Sequence, residues 1–126
     1  MEGNIIVGEK QVKMRASALV PRLYRFKFGR DLIRDMTFLK KAYKKLEEIS
    51  EDATEEEKEE AQLSVMDLTI FENVAYIMAK HADKNQPDNP DDWLDQFDMF
   101  SIYQVLPQIL ALWNVSTVTT SIPKKK

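Results

Sequence analysis

The sequence predicts a mainly α-helical protein: a small N-terminal β-hairpin followed by four to five packed helices. Three observations carry this prediction. Apolar residues recur at steps of three and four through most of residues 17–113, the period of helices that bury one stripe. Alternation of apolar and polar residues is confined to residues 1–16, as in strands with one covered face. Gly8, Gly29 and the Pro87–Pro90 pair fall between the periodic stretches, where turns belong. A chain of 126 residues that is 44% apolar can hide roughly two thirds of its unfolded surface in one core. A single domain is therefore expected, with the hairpin over residues 1–16, a helical core over 17–113 and a flexible tail over 114–126.

In NIIVGEKQVKMRAS the alternation runs on both sides of Gly8, with Val12 and Met14 facing one way and Lys13 and Arg15 the other. A lone hairpin is marginal in water, so it must lie on the helices or pair with another subunit's edge. Pro21 suits the first turn of a helix that ends at Gly29, because glycine accepts the left-handed conformation that closes helices. Asp31 begins a second helix whose stripe is Leu32, Met36, Leu39, Tyr43 and Leu46, with Lys40, Lys41, Lys44 and Lys45 opposite. Thr54 and Glu57 have capping-box spacing at the head of a long helix over residues 55–82, and the acids beside them suit the positive end of its dipole. Leu63, Met66, Ile70, Val74 and Ile77 make that helix the spine of the domain.

DKNQPDNP then breaks the pattern. Asn89 is a good N-cap and Pro90 fits the first position of a short helix carrying Trp93, Leu94 and Phe97. SIYQVLPQILALWNV is helical by spacing, but Pro107 lacks a backbone donor and should kink that helix or mark its true start. STVTTSIPKKK has no period and reads as a loose tail.

The chemistry that can be argued from side chains is sparse. Cysteine is absent, which removes disulfides, thiolate nucleophiles and Cys-ligated zinc and fits a reducing compartment. A calcium loop from Asp83 fails, because its sixth position is Asp88 rather than glycine and its twelfth is Leu94 rather than glutamate. His81 is the only histidine; it is expected to pack near a helix C-terminus, where partial positive charge is welcome. Asp88, Asp91, Asp92, Asp95 and Asp98 read as caps and solvated surface rather than an acid/base pair. The three glycines are too far apart for a phosphate loop. No enzymatic function and no cofactor is expected. The N-terminus lacks the apolar stretch of a secretory signal, and no window approaches the ~18 apolar residues of a membrane span, so the expected location is the cytoplasm.

Charge is strongly segregated. Residues 9–45 carry 12 Lys/Arg against 3 acids, and residues 46–98 carry 3 against 17. YRFKFGRD, residues 24–31, interleaves aromatic and basic side chains in a way that could stack bases and track phosphates. On a helix, however, the same interleaving follows from amphipathicity, with Leu23 or Tyr24 and then Phe28 inward and Arg22, Arg25 and Lys27 outward. The stretch is better read as the joint between two helices, and the acidic block disfavours nucleic acid.

The order of pieces, namely a hairpin, SALVPRLYRFKFGRDLIRDM, an acidic stretch, FENVAYIMAKHAD, PDDWLDQFDMFSIYQVLPQILALW and a polar tail ending KKK, resembles the tail assembly chaperones of long-tailed bacteriophages and prophages of Gram-positive bacteria. The likeness spans nearly the whole chain and includes no catalytic signature. It implies a non-enzymatic helper that keeps the long, helical tape-measure protein soluble, helps recruit tail-tube subunits around it, and leaves before the virion is finished. Partner contact is expected on the C-terminal third, at Trp93, Phe97, Met99, Phe100, Tyr103, Leu110 and Trp113, which offer more aromatic surface than two short helices need. The competing reading assigns these side chains to the core. The hairpin edges and the complementary charge blocks also allow a homo-oligomer. A small helical nucleic-acid-binding or regulatory protein is the alternative function, favoured by the basic first third and by Lys124, Lys125 and Lys126.

Overall fold

The computed structural model describes residues 2–48, 54, 56 and 65–121. The described residues are mainly helical. In order, the described elements are β1 (Glu2–Val7), β2 (Lys10–Arg15), α1 (Val20–Phe28), α2 (Leu32–Glu48), α3 (Val65–Ala82), α4 (Pro90–Leu94) and α5 (Ile102–Ser121). This is the expected hairpin followed by five helices. Among the described residues no helix is long and apolar enough to cross a membrane.

β1 and β2 pair antiparallel, with Ile5 opposite Val12 and Val7 opposite Lys10. Gly8 opens the two-residue turn with φ +61° while Glu9 keeps a negative φ, the pattern of a type II′ turn, which needs glycine first. Ile5, Val7, Val12 and Met14 are buried, so the alternation in the sequence translates directly into one covered face. The cover is internal: β2 packs on α3 and β1 on α5.

The outer edge of β1 is closed by two glutamines of α5. The Ile6 N–H donates to Gln108 Oε1 at 2.8 Å, and Gln108 Nε2 donates back to the Ile6 carbonyl at 3.0 Å. Gln104 does the same for Gly8, at 2.7 Å and 3.3 Å. The match is geometric. Four residues of helix rise about 6 Å and two residues of strand about 6.7 Å, so side-chain amides at i and i+4 meet outward-facing peptides at i and i+2. Each amide stands in for a peptide of a missing third strand. Replacing both Gln104 and Gln108 by Leu should uncover this edge, and a rise in apparent mass by light scattering is the expected result.

α1 and α2 meet at the joint the sequence indicated. Gly29 has φ +69°, and its N–H donates to the Arg25 carbonyl at 2.8 Å, closing α1. Asp31 Oδ1 then accepts the N–H groups of Ile33 and Arg34, so two free donors at the start of α2 are satisfied. The joint is locked by Asp35, which is 1% exposed. Its carboxylate accepts the Tyr24 hydroxyl at 2.7 Å and both Nε and Nη2 of Arg30, at 2.7 and 2.9 Å.

α3 is buried around most of its circumference, through Ile70, Phe71, Val74, Ala75, Tyr76, Ile77, Met78 and Ala79. A helix apolar on every side must sit inside the fold, and the hairpin, α1, α2, α4 and α5 all pack against it. Leu32, Met36 and Leu39 bury the stripe of α2. Glu57 of the expected capping box, Leu63 and the side chains of Leu46 and Met66 lie outside the described residues. Asn89 caps α4 as expected, accepting the Asp92 N–H at 2.8 Å.

Of the two roles expected for Pro107, a kink or the true start of its helix, the second is excluded, because α5 begins at Ile102 and carries Pro107 inside it. Pro107 and Tyr103, whose carbonyl loses its helical donor, are both exposed, so the unpaired group lies on the solvent side of the helix rather than in the core. The proposed loose tail over 114–126 is helical as far as Ser121. Extending an existing helix costs at most about 0.7 kcal/mol per Ser, Thr or Val relative to Ala, and no breaker intervenes before Pro123; residues 122–126 lie outside the described residues.

Candidate functional site

α1 carries two apolar stripes. Val20, Tyr24 and Phe28, spaced by four, turn toward the core. Leu19, at the head of the helix, Leu23 and Phe26 form the second, at steps of four and three, about 200° of helix rotation separating Phe26 from Tyr24. Leu19 is 45% and Phe26 79% exposed. This second stripe forms one wall of a groove whose other wall is the C-terminal half of α3, with Tyr76 and Ile77 at its floor. The groove encloses about 800 Å³.

Its rim is basic. Arg15, Lys27, Lys80 and Lys84 surround the apolar floor, against one carboxylate, Asp88. Lys80 Nζ bonds the carbonyls of Lys84 and Gln86 at 3.0 and 2.6 Å and reaches Asp88 Oδ1 at 3.1 Å. Lys27 Nζ bonds the Asp88 carbonyl at 2.6 Å and lies 5.9 Å from the centre of the Tyr76 ring. Tyr76 in turn donates its hydroxyl to the Pro87 carbonyl. The connection between α3 and α4 is thereby pinned, and carbonyl oxygens position these cations without cancelling their charge. Arg22 lies 5.8 Å from the centre of the Phe26 ring, adding a guanidinium beside the most exposed aromatic.

At one end of the groove the His81 Nε2 is 2.9 Å from Ser17 Oγ, which also accepts the Leu19 N–H. Burial, reinforced by the charge of Arg15, pushes the His81 pKa down. His81 does sit in the last turn of α3, and burial together with the charge of Arg15 disfavours its protonated form there. The Ser17 hydroxyl and the His81 ring share one hydrogen bond, which fastens the start of α1 to the end of α3.

The side chains singled out on the C-terminal third separate into three groups. Trp93 is 0% exposed and is corrected to a core residue: its ring packs against Tyr76, Phe97 and Phe100 with centres 5.1 to 5.9 Å apart. Phe97, Phe100, Leu110 and Trp113 are partly buried against the core, with Phe100 also 5.0 Å from Phe71. Met99 and Tyr103 are exposed, 66% and 63%, and lie near the hairpin turn, where the Met99 carbonyl approaches Gly8. That patch and the groove therefore sit at opposite ends of β2. Within YRFKFGRD, Tyr24 and Arg30 are committed to Asp35 and Lys27 to Asp88. Sequence reasoning passed over Phe26 and Leu19; the available signal was an aromatic out of phase with the core stripe of an amphipathic helix.

Among the described residues no three His, Asp or Glu side chains stand close enough to share a metal ion. No family model matches the chain, and comparison with curated proteins and with solved structures returns no match.

Proposed function

We propose that this chain is a non-enzymatic tail assembly chaperone of a long-tailed phage or prophage. In this reading it works in the bacterial host cytoplasm, binds the tape-measure protein, helps recruit tail-tube subunits, and leaves before the virion is finished. The sequence resemblance supplies the family. The observation that carries the binding role is the α1–α3 groove: an apolar ridge at helical spacing, ending in an aromatic that is 79% exposed on a helix that already buries another stripe. Exposed apolar surface of this kind marks a partner site, and a ridge at i, i+4 and i+7 fits a partner helix. Met99 and Tyr103 form a smaller second patch suited to the tail-tube partner.

Phe26→Asp tests the assignment, because so exposed a side chain contributes little to stability. A tape-measure fragment should co-purify with the parent protein and not with this variant, while both show the same circular dichroism and melting. Retention of the fragment by Phe26→Asp would move the binding site elsewhere. A nucleic-acid-binding function is the second reading, favoured by the basic rim; it requires binding to generic DNA or RNA that falls steeply with salt.

A further inference from the structure

We infer that the occupant of the α1–α3 groove is an amphipathic helix whose apolar stripe is flanked by Asp and Glu. The inference rests on the binding role proposed above and adds the chemistry of the partner. The ridge from Leu19 to Phe26 covers eight residues, about 10 Å or two turns of helix, so it accepts two or three apolar anchors at i, i+3 or i+4, and i+7. What selects among such helices is the rim. Four permanent cations face one carboxylate, and that carboxylate is already engaged by Lys80 at 3.1 Å. The cations outnumber the acid whatever the state of His81, so the groove presents a net positive field.

Lys27 and Lys80 are held in place by backbone carbonyls at 2.6 Å, so less side-chain freedom is lost when an acidic flank arrives. A basic flank would bring like charges together and be repelled. Nucleic acid satisfies the cations but leaves the Leu19–Leu23 surface without an apolar partner, which places a helix first.

The test uses fluorescence anisotropy with three labelled peptides that share one apolar i, i+4, i+7 stripe and differ only in flanks of Glu, Gln or Lys. A labelled single-stranded DNA serves as a fourth probe. The Glu peptide should bind about tenfold more tightly than the Gln peptide, with the Lys peptide weakest. The Glu preference should weaken at high salt, reverse toward Lys in the double variant Arg15→Glu/Lys84→Glu, and disappear with all binding in Phe26→Asp. Equal binding of the three peptides, or tighter binding of the DNA, overturns the inference. Failure of every peptide alongside Phe26-dependent capture of a tape-measure fragment also overturns it, while leaving the binding role intact. Loss of that capture from the parent protein removes the binding role itself.

Discussion

Trp93→Ala is expected to lower the stability of the fold by roughly 3–5 kcal/mol, the range for removing a large aromatic from a packed core. The side chain is fully buried, and its ring meets Tyr76, Phe97 and Phe100 within 6 Å, all in tilted or edge-on arrangements. Such pairs add to the energy of burial itself. The indole N–H has no hydrogen-bond partner among the described residues, so Trp93→Phe keeps most of the packing without losing a bond and should cost much less. Urea denaturation of the three proteins checks both points. If Trp93→Ala were as stable as the parent, Trp93 would not belong to the core.

The second large effect is expected at Asp35. Asp35→Ala leaves the buried Tyr24 hydroxyl without its acceptor and releases Arg30, a loss of roughly 1–3 kcal/mol for the orphaned hydroxyl. The same site shapes the acid response. Burial opposes the charge on Asp35, but hydrogen bonds from Arg30 and Tyr24, aided by the Arg30 charge, prevail and hold its pKa below the usual carboxylate range. Burial, followed by the bond to Asp35, pushes the Tyr24 pKa well above the ordinary tyrosine range, so it stays a donor. A carboxyl with a depressed folded pKa contributes stability that is present above its unfolded value, near 3.9, and is lost as pH falls through the folded value.

His81 acts in an earlier window. Its folded pKa lies below the ordinary histidine value of about 6.5, so the unfolded chain takes up a proton first and stability declines as pH falls below that value. Melting temperature against pH should fall in two stages. His81→Gln should remove the upper one and Asp35→Asn the lower one.

Much of the fold was legible because local patterns and tertiary packing agree. Alternation around Gly8 marked the hairpin, and Pro21, Gly29 and Asp31 marked both sides of the α1–α2 joint. The end of α5 was not legible, since Ser, Thr and Val favour other structure individually while adding little cost to a helix already formed. The aromatic residues of α4 and α5 looked like surplus surface because each helix was counted alone. In three dimensions Phe71 and Tyr76 of α3 draw Trp93, Phe97 and Phe100 into one cluster. The glutamine closure of β1 depends on a helix and a strand being brought side by side, which no local pattern records. The groove lay between these cases: the out-of-phase Phe26 was visible in the sequence, whereas the basic rim is assembled from β2, α1, α3 and the residues that follow α3.

The proposed function makes the α1–α3 groove the surface that receives a partner helix. Amide chemical-shift mapping of the isotopically labelled protein, titrated with a tape-measure fragment, tests it most directly. Shifts centred on Leu19, Leu23, Phe26, Ile77, Lys80 and Lys84 are expected, with the backbone of Met99 and Tyr103 unmoved by this ligand. Shifts confined to Met99, Tyr103 and their neighbours, or no shifts at saturating fragment, would contradict it.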